Sequence, residues 1–98
     1  MSVYMVAEIE ILDRETFALY IEGARPVVAG HGGVYLARDG RVTPVSGEWE
    51  PDCLVIVRFP TLEHLRACFG SPEYRQVAPL RKKSAITRAV VVEGVEGD

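Results

Sequence analysis

CLVIVRFPT, residues 53–61, holds a strand, a stop and a helix start in nine consecutive positions. Leu54-Val55-Ile56-Val57 is a near-continuous apolar run, the pattern of a strand in a central sheet position. Pro60 has no amide hydrogen to continue a ladder, so the strand ends there. Thr61 then offers a hydroxyl to cap a helix. Strand alternation sends Val55, Val57 and Phe59 to one face and Leu54, Ile56 and Arg58 to the other. Both faces carry apolar side chains, so both need cover.

Working outward, residues 3–11 read as another β-branched strand, with Met5, Ala7 and Ile9 on one side and Tyr4, Val6, Glu8 and Glu10 on the other. Asp13 is placed to cap a helix whose apolar stripe is Phe17, Tyr20, Ile21, Ala24, Val27 and Val28. Pro26 is expected to kink that helix or to start a second short turn, and Gly30, Gly32 and Gly33 to end it. Residues 34–38 form a second strand. Asp39-Gly40 signals a tight hairpin, with a return strand over 41–45 weakened by Pro44 and a loop over 46–52. A short helix runs from Thr61 to about Phe69. Ser71-Pro72-Glu73 starts another, with a cap, a first-position proline and an acid. Pro79 is expected to break or bend it. Residues 86–93 are the last strand, and 94–98 a frayed tail.

The order is strand, helix, strand, strand, helix, strand: an α+β, ferredoxin-like βαββαβ domain spanning residues 1–98, with a four-stranded antiparallel or mixed sheet. Right-handed crossovers place the first and third strands side by side in the middle, parallel, with the fourth beside the first and the second beside the third. Helices then cover one sheet face. On the other, Val6, Leu54, Ile56 and Val90 form a patch, and Glu8 or Glu10 is expected beside Arg58 and Arg88. Such a patch asks for a second copy of the chain.

Composition narrows the class. The chain has 98 residues, 48% hydrophobic and 26% charged, enough for a core and against disorder. Net charge is −3 and the 11 Lys and Arg are scattered, apart from Arg81-Lys82-Lys83, which excludes nucleic acid as the main partner. That trio reads as cations on a helix C-terminus. The N-terminal run, interrupted by Glu8 and Glu10, is no signal peptide, and no stretch is long enough for a membrane span. Cys53 and Cys68 match no zinc spacing and are expected as unpaired thiols in a reducing cytoplasm.

Few residues point to chemistry. His31, at a helix exit beside two glycines, is the one weak catalytic candidate, as a general base near neutral pH; the simpler reading is a polar helix cap. Trp49, the only tryptophan, either lids a pocket or anchors its loop, and the anchor is favoured. Tyr74 would aim its hydroxyl into a cleft, with Arg81 two turns on to bind an anion; the simpler reading is a half-buried tyrosine and a surface cation. Cys68 packs in the core and His64 lies on the surface. No metal set or cofactor motif is legible: the glycines of 30–33 follow a helix and lead into a strand, the reverse of a dinucleotide loop.

Several stretches together carry a resemblance. They are Asp13, Phe17, Tyr20 and Pro26; His31-Gly32-Gly33; Arg38; Gly47-Glu48-Trp49-Glu50-Pro51; Phe59-Pro60-Thr61; Ser71-Pro72-Glu73-Tyr74 with Leu80-Arg81; and Val91-Val92-Glu93-Gly94. In this order the chain resembles the domain-of-unknown-function 1330 family of the dimeric α+β barrel superfamily. It departs from that family's pattern at Thr43, Arg58, Cys68 and Pro79. The resemblance implies a homodimer of face-to-face sheets, with ligands held between sheet and helices. His31, Arg38, Trp49, Tyr74 and Arg81 are the ligand-binding candidates. The expected role is a non-catalytic module binding a small molecule or a protein. The alternative is a cofactor-free enzyme of the monooxygenase or isomerase kind, with His31, Trp49 and Tyr74 lining its pocket.

Overall fold

A computed structural model describes residues 1–95. The element order is β1 (Val3–Ile11), α1 (Arg14–Gly30), β2 (Val34–Ala37), β3 (Cys53–Phe59), α2 (Leu62–Phe69), α3 (Pro72–Ser84) and β4 (Ala85–Glu93). Each helix starts where a side chain satisfies its free amides. Thr16 donates its amide to Asp13 Oδ1 at 3.2 Å and its hydroxyl to Oδ2 at 2.8 Å. Thr61 Oγ1 accepts from the His64 amide at 3.1 Å, and Ser71 Oγ from the Tyr74 amide at 3.2 Å.

The strands lie in the order β2-β3-β1-β4, and every neighbouring pair is antiparallel. The expected order holds, but the parallel pairing of β1 with β3 does not. In this order each helical crossover skips one strand, joining β1 to β2 and β3 to β4. The strand in the gap runs the other way. Direction decides position: Arg58, near the end of β3, falls opposite Tyr4 rather than beside Glu8 or Glu10, while Arg88 does fall opposite Glu8.

Three local expectations change. Pro26 and Pro79 lie inside continuous helices, so neither breaks the element that holds it. Both are on exposed positions, so water can take the carbonyls of Glu22 and Arg75 that lose an amide partner. Asp39-Gly40 forms no tight hairpin: residues 41–45 make no strand, and the positive-φ residues among those described are Gly32 and Gly47. β2 pairs straight onto β3 across the long intervening segment. Gly94 is held, its amide donating to the Ser2 carbonyl at 2.8 Å. Residues 96–98 of the expected tail lie outside the described residues.

Alternation sorts the sheet as expected. Val3, Ala7, Ile9, Val55, Val57 and Phe59 are buried against the helices with Phe17, Tyr20, Ala24, Val28, Leu65 and Cys68. Gly23 lets α1 and α3 close up: a Cβ there would stand 2.6 Å from Val77 Cγ1. The opposite face has no helix. Across it runs a registered row, Ile56–Val6–Val90, with Ile86, Val90 and Val92 exposed.

Candidate functional site

The spacing of α1 and α3 over the sheet leaves a cleft of about 490 Å³ on the helix face. Its floor is strand side chains, among them Met5, Val55 and Val57, and Val28 and Phe69 close it from the helices. Tyr20 on α1 and Tyr74 on α3 meet there, their hydroxyls 2.8 Å apart and their rings edge-on. The Ser71 cap fixes the start of α3 and so where Tyr74 enters. Arg81, two turns along, donates Nε to the Tyr74 hydroxyl at 3.3 Å.

Counting protons shows what this chain of groups offers. Tyr74 accepts from Arg81, and the two phenols share one hydrogen bond, so one of their two O–H protons is left without a protein acceptor. Burial, reinforced by the neighbouring Tyr74, pushes the Tyr20 phenol upward, so it stays protonated; either hydroxyl can be the donor between the two. On the β4 side, Thr87 lines the same cleft, and its buried Oγ1 has no hydrogen-bond partner. Each such group favours a ligand oxygen or a trapped water. The cleft can therefore hold an apolar body and hydrogen-bond it at two places.

Of the sequence candidates, the cleft brings together Tyr74 and Arg81. Arg38 lines a neighbouring groove of about 310 Å³ with Arg14 and Arg25, which shares Ile21, Tyr35 and Val55 with the cleft. Its guanidinium stacks 5.3 Å over the Tyr35 ring, and its Nε lies 3.5 Å from Asp39. His31 caps α1, its amide donating to the Val27 and Val28 carbonyls at 3.2 Å each, and does not line the cleft. Trp49 lies on the open sheet face, where its Nε1–H donates to Glu8 Oε2 at 3.0 Å. That is the anchor reading. The same carboxylate accepts Arg88 Nε at 3.1 Å, and Arg88 first, then Trp49, holds Glu8 below the ordinary glutamate range.

Cys53 and Cys68 are both free. Burial pushes the Cys68 thiol up to about 11, which fits packing rather than nucleophilic attack. His64 is exposed, with Nδ1 2.7 Å from its own cap hydroxyl. Among the described residues, no group of three or more His, Cys, Asp or Glu is arranged to hold a metal ion. Tyr20, Tyr35 and Thr87 were not singled out from the sequence. Tyr20 carried a signal, since a tyrosine in a buried helix stripe must find its hydroxyl a partner. Thr87 carried none.

Comparison with known proteins places this geometry. The family described as "Domain of unknown function (DUF1330)" matches residues 2–95. No curated protein matches the chain. Among solved structures, RPA0582 of Rhodopseudomonas palustris, a protein of unknown function, superposes with a TM-score of 0.81 at 16% identity, covering 97% of this chain and 83% of that one. SnoaB, a cofactor-independent oxygenase from Streptomyces nogalater, superposes at 0.68 with 8% identity, covering 97% and 94%. A dimeric ferredoxin-like protein of unknown function from Jannaschia sp. CCS1 superposes at 0.66 with 14% identity, covering 96% and 100%. At these identities the likeness is one of fold.

Proposed function

From the premise that the chain belongs to the DUF1330 family, whose function is unknown, we propose that it is a homodimeric, non-catalytic small-molecule-binding protein of the cytoplasm. The observation that carries the reading is the cleft itself: an apolar floor under a Tyr20–Tyr74–Arg81 chain with a spare phenolic proton. Sites for small ligands are of this kind, largely apolar with a few converging polar groups. Dimerisation through the open sheet face is supported by the apolar Ile56–Val6–Val90 row, half-buried at Ile56 and Val6 and exposed at Val90, and by the neighbour described as dimeric. The free thiols fit a reducing compartment.

A thermal-shift screen against aromatic and carboxylate metabolites tests the binding claim, since a ligand of the folded state raises its melting point. Hits should lose their shift in Tyr74→Phe. Hits that keep it bind elsewhere, and the cleft reading fails. The likeness to a cofactor-independent oxygenase supports a second reading, catalysis in the same cleft. Oxygen uptake on adding a bound ligand would replace the binding-only reading with that one.

A further inference from the structure

The charge around the cleft narrows its ligand, granted the reading above that a small molecule binds there. We infer that this ligand is an amphipathic carboxylate, its acid group held by the α3 cations and the Tyr74 hydroxyl chain, its hydrocarbon body on the strand floor. Among the described residues, those lining the cleft include Arg75, Arg81 and Lys82 and no aspartate or glutamate. That is notable in a chain whose net charge is −3. The ion pairs formed among the described residues join Arg25 and Arg38 to Asp39 and Arg88 to Glu8; none uses the cleft cations. Arg75, Ala78, Arg81 and Lys82 recur at helical spacing, so α3 turns one stripe to the cleft.

Neither of two simpler accounts covers all three cations alone, and neither explains why Arg81 is tied to Tyr74. Cations in the last turn complement the helix dipole, which covers Arg81 and Lys82. Arg75 sits at the other end of α3, where the dipole disfavours a cation. Solvation of an exposed face covers Arg75 and Lys82 but not Arg81, which is half-buried with its Nε tied to Tyr74. That bond orients the guanidinium and leaves its terminal amino groups for a planar two-oxygen acceptor. A carboxylate would take them together with the spare phenolic proton. It would also offset the mutual repulsion of three like charges around one cleft. A neutral ligand can accept one of these hydrogen bonds but offsets no charge, and a cationic one is repelled.

The test compares molecules that differ only in their polar end. Octanoate and 2-naphthoate are titrated by calorimetry against their primary amides, with octylamine and octyl phosphate as further arms. The carboxylates should bind at least about tenfold tighter than the amides, the scale of a charged hydrogen bond against a neutral one. In Arg81→Met the preference for the carboxylates over the amides should collapse to within about twofold; Arg81→Lys should restore part of it. Arg75→Met and Lys82→Met, on exposed positions, should each reduce it less and keep the fold. Amides binding as tightly as acids, or an acid preference unchanged in Arg81→Met, would overturn the inference and leave the cleft as a binding site. A stronger hold on octyl phosphate would overturn the class of acid. If neither acids nor amides bind, both the inference and the cleft reading fall.

Discussion

The two faces of one sheet carry similar strand chemistry, but the depressions on them are lined by opposite charge. Under the helices, Arg75, Arg81 and Lys82 border an apolar cleft that has no acid among the described residues. On the open face, Glu8 and Glu10 with Glu50 and Asp52 line a depression of about 330 Å³ in which Arg88 is the one cation. Among the described residues the cations of the cleft have no acid partner, whereas Glu8 is held by Arg88 and Trp49. A group already satisfied within its own chain holds a structure together; a group left unsatisfied in a concave apolar site is available to a ligand. The difference matches the two proposed occupants, a small molecule on one side and a second copy on the other.

The largest effect that bears on this contrast is in the core. Phe59 is fully buried on the helix face, and Phe59→Ala should cost about 3–5 kcal/mol in urea unfolding. Ile56→Ala, on the open face next to it, should cost less than half of that. Its loss should vary with protein concentration, because it acts through association. Equal, concentration-independent losses would erase the distinction between the faces.

A charge placed in the open row tests its occupant. Val6 lies between Ile56 and Val90, and Val6→Asp would bury a carboxylate in any interface there, at a cost of about 3 kcal/mol or more. Light scattering over a dilution series should then show a dimeric wild type and a monomeric variant. A wild type already monomeric at micromolar concentration, or a variant still dimeric, would remove the partner from this face.

On the cleft side, Tyr74→Phe leaves the Tyr20 hydroxyl and Arg81 Nε without the partner they share. Stability should drop by about 1–2 kcal/mol in thermal unfolding without ligand. An unchanged or more stable variant would mean that the hydroxyl chain is not part of the apo fold.

The smallest effect is on Glu8. Its folded value is lowered by Arg88 and Trp49, so its contribution is in place above the ordinary glutamate range and is lost as pH falls through the lowered value. Trp49 is the only tryptophan, so its emission reports that loss directly. It should change as pH falls below the glutamate range, and Glu8→Gln should abolish the titration. A wild-type signal flat in acid would detach Trp49 from Glu8.

Strands, caps and faces were legible because each depends on neighbours in the chain. Thr61 and Ser71 cap the helices expected of them, and β1 and β3 have the expected bounds. Tyr74 and Arg81 were legible as a pair, since positions seven apart share a helix face. A break at the prolines was the wrong alternative: the local rule counts the lost hydrogen bond, while Pro26 and Pro79 lie at exposed positions where water can replace it. Asp39-Gly40 misled for a related reason, since β3 was the better partner for β2 than the short segment after the turn.

What the sequence determined by itself was the succession of elements and which residue of each strand shares a face with which, because period and capping are short-range properties. Strand direction, and with it the place of Arg58 opposite Tyr4, came only from the tertiary structure. So did the meeting of Tyr20 with Tyr74, 54 positions apart, the pairing of Glu8 with Trp49 and Arg88, and the unpaired Thr87 hydroxyl. Those depend on how α1 and α3 close over the sheet and on the antiparallel register, where contacts form between residues whose separation along the chain carries no periodic signal.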